Sequence, residues 1–220
     1  MNRIALILAL FVASCSLLTS ESSEGSGVPM GIYEGSFTAI NWQEGDTLSL
    51  PSFQFGSEPN AMGYDSNSLI PAKAFTQIMS AKLLEQASYD SSAQHFPMGA
   101  MPFGQGKRAY MIGVYEDFHT FHTQLFLYDS LEERFTYTQS LAYLIGGGGF
   151  LSLRKAWMVD LNHDNQPDLI YRKDELYNSP DPEHSYFLDT LRAEIWDGNR
   201  FNTFNMGDIS QIKNVFAMED

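Results

Sequence analysis

Oxygen-bearing side chains recur at alternate positions in one short segment of the chain. Asp160, Asn162 and Asp164 are spaced two residues apart. A further carboxylate follows at Asp168, and the backbone carbonyl of Gln166 lies between. Calcium takes about six to eight oxygen ligands, and EF-hand-type loops supply them from alternate side chains and one backbone carbonyl. The spacing therefore predicts a Ca²⁺ site formed by these five residues.

The same loop resembles the calcium loops of FG-GAP repeats, also called integrin-type repeats, whose pattern is D-x-[DN]-x-D-G-x-x-D-[LI]. The match covers residues 160–169 of the 220-residue chain. The resemblance implies that the four side chains named above are ligands and that the loop joins two strands. Residues 157–159 and 169–171 agree with this, since both runs are apolar or aromatic and typical of strands.

The loop departs from the repeat pattern at one position, where Asn165 replaces the usual Gly. The turn needs a positive φ there, and Asn adopts that conformation more readily than most residues. Pro167 lacks a backbone N–H, which suits a loop and opposes a helix. The alternative interpretation is an Asp- and Asn-rich turn that binds no metal, because these residues are common in turns. If the ion binds, a structural role that clamps two strands is preferred over catalysis.

Other residues with reactive side chains do not form a catalytic pattern. His119 and His122 lie between strand-like runs, where that spacing would direct them to opposite faces, so both could bind a metal only in a loop. The adjacent carboxylates at 116–117 and 132–133 face opposite ways on a strand and are poor acid–base pairs. The chain has no Gly-x-Ser-x-Gly nucleophile motif. No catalytic residue is predicted.

The amino terminus has the composition of an export signal. Arg3 precedes an apolar run at residues 4–13 that is too short to cross a membrane. The sequence Val-Ala-Ser-Cys that ends at Cys15 resembles the lipobox of bacterial lipoproteins. This implies a lipoprotein signal peptide at residues 1–14 and a lipid on Cys15. The alternative is a plain secretory signal cut elsewhere. Cys15 is the one Cys of the chain, so no disulfide framework is expected.

The segment after Cys15 predicts a tether rather than a folded element. Residues 15–30 are rich in Ser, Glu, Gly and Thr, which cannot bury a core. Residues 31–220 then form a single β-rich calcium-binding domain that is long enough for a sizeable core. Ser16 follows the Cys, as in the outer-membrane class of bacterial lipoproteins. The expected location is therefore the cell envelope, at the periplasmic or surface side of the outer membrane.

The charge balance excludes some classes of partner. The chain has 13 Lys and Arg against 27 Asp and Glu, with a net charge of −14. Nucleic acid binding requires a basic surface, and anionic lipid head groups also attract basic segments. We therefore expect no nucleic acid partner and contact with the membrane through the lipid alone. Divalent cations and cationic partners are favoured.

The first half of the domain contains the predicted helix. Residues 72–87 have Phe75, Ile78 and Leu83 at helical spacing, with no Gly or Pro inside. A strand over residues 69–75 is the alternative. The stretch at 31–40 predicts a strand that pairs with residues 47–50, and another short strand is expected at 53–55. Residues 88–107 are rich in Gly, Pro, Met and Ser and are interpreted as a loop.

The second half predicts strands. Asp197-Gly198 separates two of them and is a strong hairpin signal. The Gly run at 146–149 has no phosphate-loop spacing and is interpreted as a bend or a close approach of backbone. The predicted strands cover residues 109–115, 124–128, 134–140, 141–145, 150–159, 169–173, 191–196, 200–204 and 209–215.

Two hairpins of similar sequence suggest the architecture. Residues 126–129 end in Tyr-Asp and are followed by Arg-Phe at 134–135, and residues 194–197 end in Trp-Asp and are followed by Arg-Phe at 200–201. Repeated hairpins form the blades of propellers. The expected fold is mainly β, a propeller-like or partial-propeller domain with one short helix. A β-sandwich is the alternative.

These features favour a binding function over catalysis. The sequence predicts a lipid-anchored envelope protein with a structural calcium site that binds a protein or a glycan. One instance would be inhibition of an enzyme that attacks the envelope, with the acidic segment at 174–183 entering a basic cleft. The alternatives are a calcium-dependent hydrolase of a glycan or a phosphate ester, and a purely structural lipoprotein.

Overall fold

The computed structural model describes residues 35–43, 45–52, 69–87, 90–104, 106–117, 120–205, 207 and 213–218. The predicted signal peptide, Cys15 and the tether lie outside the described residues, as does the strand expected at 53–55. Within the described ranges, no helix has both the length and the apolar character needed to cross a membrane.

The described residues form a mainly β structure with two short α-helices, which confirms the predicted class. The elements are β1 Thr38–Ala39, β2 Leu48–Ser49, α1 Ala72–Ile78, α2 Ala81–Gln86, β3 Gln94–Phe103, β4 Lys107–Asp117, β5 Thr120–Asp129, β6 Arg134–Gly147, β7 Phe150–Val159, β8 Asp168–Tyr177, a 3-10 turn Pro182–His184, β9 Tyr186–Trp196, β10 Phe201–Phe204 and a 3-10 turn Lys213–Val215.

All the strands belong to one open sheet. From β3 to β10 each strand pairs antiparallel with the next along the chain, while β1 lies parallel to β3 and β2 pairs with β7. The predicted pairing of residues 31–40 with 47–50 is wrong for the described residues, because β1 and β2 join different strands. Separate propeller blades are not shown.

The two similar hairpins both form, and the aspartate makes the same pattern of hydrogen bonds in each turn. In the β5–β6 turn, Asp129 Oδ1 accepts from the backbone N–H groups of Leu131 at 2.9 Å and Glu132 at 3.2 Å. In the β9–β10 turn, Asp197 Oδ1 accepts from Asn199 at 2.8 Å and Arg200 at 3.0 Å. The carboxylate thus satisfies turn N–H groups in both places.

The helical segment is broken where the sequence predicted one helix over residues 72–87. Met79 has an extended conformation, with φ −118° and ψ 142°. Ser80 then caps a new helix, since its Oγ accepts from the backbone N–H of Leu83 at 3.3 Å. The extended residue Met79 thus ends the first helix, and the Ser80 side chain caps the start of the second.

Residues 88–107 are not a loop, since β3 occupies positions 94–103. This strand is buried from His95 to Met101 and again at Phe103. It contacts apolar groups on both faces, so its sequence lacks the alternation that marks a half-buried strand. Pro97 lies beside a register shift, and β1 covers only Gly99 and Ala100 on the other side. At this edge the Ile70 N–H also donates to the His95 carbonyl at 2.9 Å. A strand with a bulge tolerates proline, which has no N–H to donate to the sheet.

The sheet folds over, so that its early and late strands contact each other. The ring centroids of Phe103 in β3 and Trp196 in β9 are 5.2 Å apart, and Lys107 Nζ donates to the Gly198 carbonyl at 3.0 Å. β6 pairs with β7 only between Tyr143–Gly147 and Phe150–Arg154, because it then diverges and β2 takes the place beside Trp157 and Met158. The main core cluster lies between these parts of the sheet.

The opposite faces of the sheet are covered separately. Phe75 and Leu83 of the helices cover Ile112, Phe126 and their neighbours. The rings of Phe216 and Trp157 meet edge to face with their centroids 5.3 Å apart, and Phe216 belongs to a separate cluster on β7, β8 and β9. The residues before it form a 3-10 turn at Lys213–Val215, so the strand predicted over 209–215 is wrong in its described part.

The bend at residues 146–149 is also a close backbone approach, as the sequence predicted. Gly148 and Gly149 have φ values of 59° and 86°. The Gly149 carbonyl accepts from the backbone N–H of Asn178 at 2.9 Å. A Cβ on Gly149 would lie 2.6 Å from the Asn178 carbonyl oxygen. Only glycine fits this contact without displacement of backbone.

Core packing yields a matched stability test. Leu127→Ala should lower the free energy of unfolding by about 2–5 kcal/mol, because Leu127 is 0 % exposed in the main cluster. Leu131→Ala should change it by less than about 0.5 kcal/mol, because Leu131 is 90 % exposed. Urea unfolding of both variants measures the difference, and equal destabilisation would contradict the assignment of the core.

Candidate functional site

The predicted calcium loop connects β7 to β8. Val159 pairs with Asp168, so residues 160–167 form a loop between two antiparallel strands. This is the placement that the sequence predicted. The loop lies at the end of β7 and β8 that also contacts the end of β9, because Leu169 pairs with Glu194.

Asp168 is the buried centre of this region. Its side chain is 0 % exposed. Oδ2 accepts from the backbone N–H of Leu161 at 2.9 Å, and Oδ1 accepts from that of Trp196 at 2.8 Å. Burial raises the pKa of the Asp168 carboxyl, the two N–H donors oppose that shift, and the nearby Asp164 and Asp160 charges add to it. One carboxylate thus joins the loop to β9.

Asp160 organises the first half of the loop in the same way. Its side chain is 8 % exposed. Oδ1 accepts from the backbone N–H of Asp164 at 3.2 Å, and Oδ2 accepts from that of Asn165 at 3.1 Å. Two backbone N–H groups of the loop therefore point toward this carboxylate.

The more exposed of the predicted ligands are hydrogen-bonded to each other. Asn162 Oδ1 accepts from the backbone N–H of Asp164 at 3.2 Å, and Asn162 Nδ2 donates to Asp164 Oδ2 at 3.0 Å. Asp164 Oδ1 accepts from the backbone N–H of Gln166 at 2.9 Å. The alternate polar side chains thus turn toward the loop's own backbone.

The backbone conformation of the loop agrees with the sequence prediction. Asn165 has φ 63°, the positive value expected where FG-GAP repeats have Gly. His163 also has a positive φ, 61°. Asn and His are among the residues that adopt this region most readily, so the turn closes without glycine.

The donor set suits a hard cation in its chemistry. Three carboxylates, an amide oxygen and a backbone carbonyl supply oxygen ligands alone, as calcium prefers. Among the described residues, no group of three or more His, Cys, Asp or Glu side chains is arranged to hold a metal ion. The assignment of Asp160, Asn162, Asp164, Gln166 and Asp168 as ligands therefore stays a prediction.

Of the two histidines considered as metal ligands, His119 and His122, the structure describes His122 alone. His122 lies in β5 with Nε2 3.7 Å from Glu116 Oε1. Burial lowers the pKa of His122, and the Glu116 charge opposes that shift. His119 lies outside the described residues. The structure thus gives no geometry for a site that uses both histidines.

A cavity that the sequence did not predict lies at the polar end of β6–β9. Its volume is about 310 Å³, and its lining includes Tyr143, Arg154, Tyr171, Arg192 and Glu194. Strand register brings them together, since Tyr143 pairs with Arg154 and Tyr171 pairs with Arg192. Alternate charged and aromatic residues along β8 and β9 are the signal that could have revealed it.

We compared the chain with known proteins. No protein-family model, no curated protein and no solved structure matches it.

The buried His95 makes stability depend on pH. It is 2 % exposed, its ring lies 4.5 Å from that of Phe75, and burial lowers its pKa to about 4. The unfolded chain takes up this proton near pH 6.5, so the folded state loses stability as the pH falls through the window between these values.

Between pH 7 and pH 5 this histidine should reduce the free energy of unfolding by about 2 kcal/mol. His95→Gln should lose that part of the pH dependence, while His184→Gln, whose side chain is 73 % exposed, should keep it. Urea unfolding at the two pH values measures the effect. An unaltered pH dependence in His95→Gln would contradict the assignment.

Proposed function

We propose that this chain is a lipid-anchored protein of the cell envelope whose calcium-bound β domain binds a protein or glycan partner. The observation that carries the calcium part is the burial of Asp160 and Asp168. Neither carboxylate makes an ion pair with another described residue. Buried charges are normally paired or bound to a metal.

The ion would have a structural role. Asp160, Asn162, Asp164 and Asp168 would bind it through side chains, and Gln166 through its carbonyl. Asp168 also accepts from Trp196, so an ion at the loop would hold the ends of β7, β8 and β9 in one arrangement. Calcium would supply charge neutralisation there, and the surface next to these strands would become rigid.

The envelope location rests on the sequence. The lipobox resemblance places the lipid on Cys15, and residues 15–30 would hold the domain away from the outer membrane. The net charge of −14 fits a partner with basic groups and opposes nucleic acid.

An exposed surface beside the β8–β9 connection supports partner binding. Tyr186 is 49 % exposed and Phe187 is 63 % exposed. The adjacent turn carries the exposed acidic residues Asp181 and Glu183. Aromatic side chains with acidic neighbours suit a basic partner surface. Inhibition of an envelope-attacking enzyme is one form that this binding would take. β8 extends to Tyr177, so the exposed segment is 178–185 and not 174–183.

A calcium-dependent hydrolase is the second candidate. The observation that favours it is Glu194, a cavity carboxyl whose pKa is raised by burial.

For the fold, a propeller relationship rests on the two Asp-capped hairpins, whereas the β-sandwich is supported by the contact between early and late strands.

Calcium should stabilise the whole chain in detergent against thermal unfolding. At a free concentration about 100 times the dissociation constant, the gain over chelator should be about 2.7 kcal/mol. Asp164→Ala should abolish the gain, and Asp181→Ala, an exposed carboxylate in another turn, should leave it intact. A gain that persists in Asp164→Ala and Asp160→Ala would place the ion elsewhere.

Partner binding should depend on the exposed aromatic surface. The wild-type protein should capture a specific partner from envelope extract in calcium, and Phe187→Ser should reduce that capture. Leu131→Ser removes another exposed apolar side chain, 90 % exposed on the β5–β6 turn, and should not reduce it. Mass spectrometry of the captured fraction measures the result. Equal loss in both variants, or no specific partner, would contradict the binding function.

A further inference from the structure

Arg154 is fixed at the cavity where β6 diverges from β7. Its guanidinium lies between two aromatic rings, 4.8 Å from the centroid of Tyr143 and 4.8 Å from that of Tyr171. Nε donates to the Leu141 carbonyl at 3.1 Å, and Nη2 donates to Ser140 Oγ at 2.8 Å and to the Ser140 carbonyl. These contacts leave the guanidinium little freedom to reorient.

The third nitrogen of this guanidinium, Nη1, forms no hydrogen bond to another described residue. The hydrogen bonds of Arg154 to other described residues involve Nε and Nη2, so Nη1 keeps two N–H donors. A fixed arginine with unused donors at a cavity is suited to an anionic oxygen, because charge-assisted hydrogen bonds are the strong ones.

The cavity collects positive charge in an acidic protein. Arg154, Lys173 and Arg192 line it, which is three of the 13 Lys and Arg residues of a chain with net charge −14. Glu175 and Glu194 are its carboxylates. Lys173 Nζ lies 2.7 Å from Glu175 Oε1, whereas Arg192 forms no ion pair within the described part of the chain. One positive charge is left over, and a concave site concentrates its field.

Hydrogen-bond acceptors lie beside this positive charge. Glu194 Oε2 accepts from Gln139 Nε2 at 3.2 Å, and the same amide nitrogen is 3.2 Å from the Tyr171 hydroxyl. The Glu194 carboxylate and the Thr190 hydroxyl line the cavity next to Arg192. The Glu194 carboxylate already accepts from Gln139, and the Thr190 hydroxyl donates to the Lys173 carbonyl at 3.5 Å. Both groups keep lone pairs that can accept further hydrogen bonds, which a ligand with a carboxylate alone would not supply. Hydroxyl groups on the ligand would satisfy them.

The volume sets the size of the ligand. Small-molecule pockets run from about 300 Å³ upward, and this cavity has about 310 Å³. It therefore accepts one small molecule or the end of a chain, and not a folded partner.

We propose that this cavity binds an acidic sugar unit, with Arg154 Nη1 and Arg192 on the sugar carboxylate and with Glu194 and Thr190 on its hydroxyls. The sugar is either free or the end of a glycan. This inference rests on the proposed binding function and names a ligand class for it. It uses residues separate from the calcium loop and from Phe187.

The test is calorimetric titration of the whole chain in detergent with four probes. Glucuronate should bind. Glucose lacks the carboxylate, acetate lacks the hydroxyls and glutamate replaces them with an ammonium, so each should bind at least about tenfold more weakly. Arg192→Gln should weaken glucuronate binding by about tenfold. Arg134→Gln makes the same charge change at the start of β6, at a side chain that is 70 % exposed and does not line the cavity, and it should have no effect.

A second variant distinguishes a loss of the binding site from a loss of folding. Arg154→Lys keeps the charge and removes the Nη1 donors, so it should weaken glucuronate binding while the calcium-dependent stabilisation persists. Glucuronate binding no tighter than that of acetate or glutamate would overturn the proposal, as would equal binding by Arg192→Gln and Arg134→Gln. A chain that still captures its partner but fails these titrations would lose this inference alone. Loss of partner capture with intact titrations would count against the proposed protein partner instead.

A longer ligand separates a free sugar from a chain end. A dimer and a trimer of a uronic acid should bind at least as tightly as the monomer if the cavity takes the end of a glycan. Weaker binding of both would assign it to the free sugar.

Discussion

The buried carboxylate of Asp168 is the interaction on which the second half of the sheet depends. Its two oxygens accept from backbone N–H groups in the β7–β8 loop and at the end of β9. Three successive strands are therefore fixed at the same end by one side chain. A charge with so little exposure is tolerated because it is hydrogen-bonded at both oxygens. Burial raises the pKa of this carboxyl, and the nearby charges of Asp164 and Asp160 add to that shift.

The strand register that begins at this end also determines which residues line the cavity. Because β8 starts at Asp168, its alternate residues Tyr171 and Lys173 fall on one face, opposite Arg192 and Thr190 of β9. The apolar part of this face belongs to the core and its polar part lines the cavity. A shift of one residue at the loop would turn the cavity residues to the other face of the sheet. The loop and the cavity are thus coupled through register, although they share no residue.

Sequence patterns predicted the parts of this structure that local chemistry determines. The β7–β8 loop, the positive φ of Asn165 and the Asp197-Gly198 hairpin all follow from residue types within a few positions. The strand β3 could not be predicted in this way. A strand buried on both faces shows no alternation of apolar and polar residues, and Pro97 lies at a bulge that the sequence does not reveal. The helix break lies at Met79 and Ser80, where the spacing of apolar residues does not reveal it. The cavity depends on which strands lie side by side, and that pairing is set by the whole sheet rather than by any segment.

Gly149 has a consequence for the outer surface of the protein. Its carbonyl holds the Asn178 N–H, and no side chain stands between these two backbone segments. The turn after β6 therefore holds the backbone at Asn178, where the connection that leads to Tyr186 and Phe187 begins. Because Gly149 has no Cβ, the turn after β6 lies directly against the start of the β8–β9 connection, next to the sheet edge where Tyr177 pairs with the exposed Tyr186.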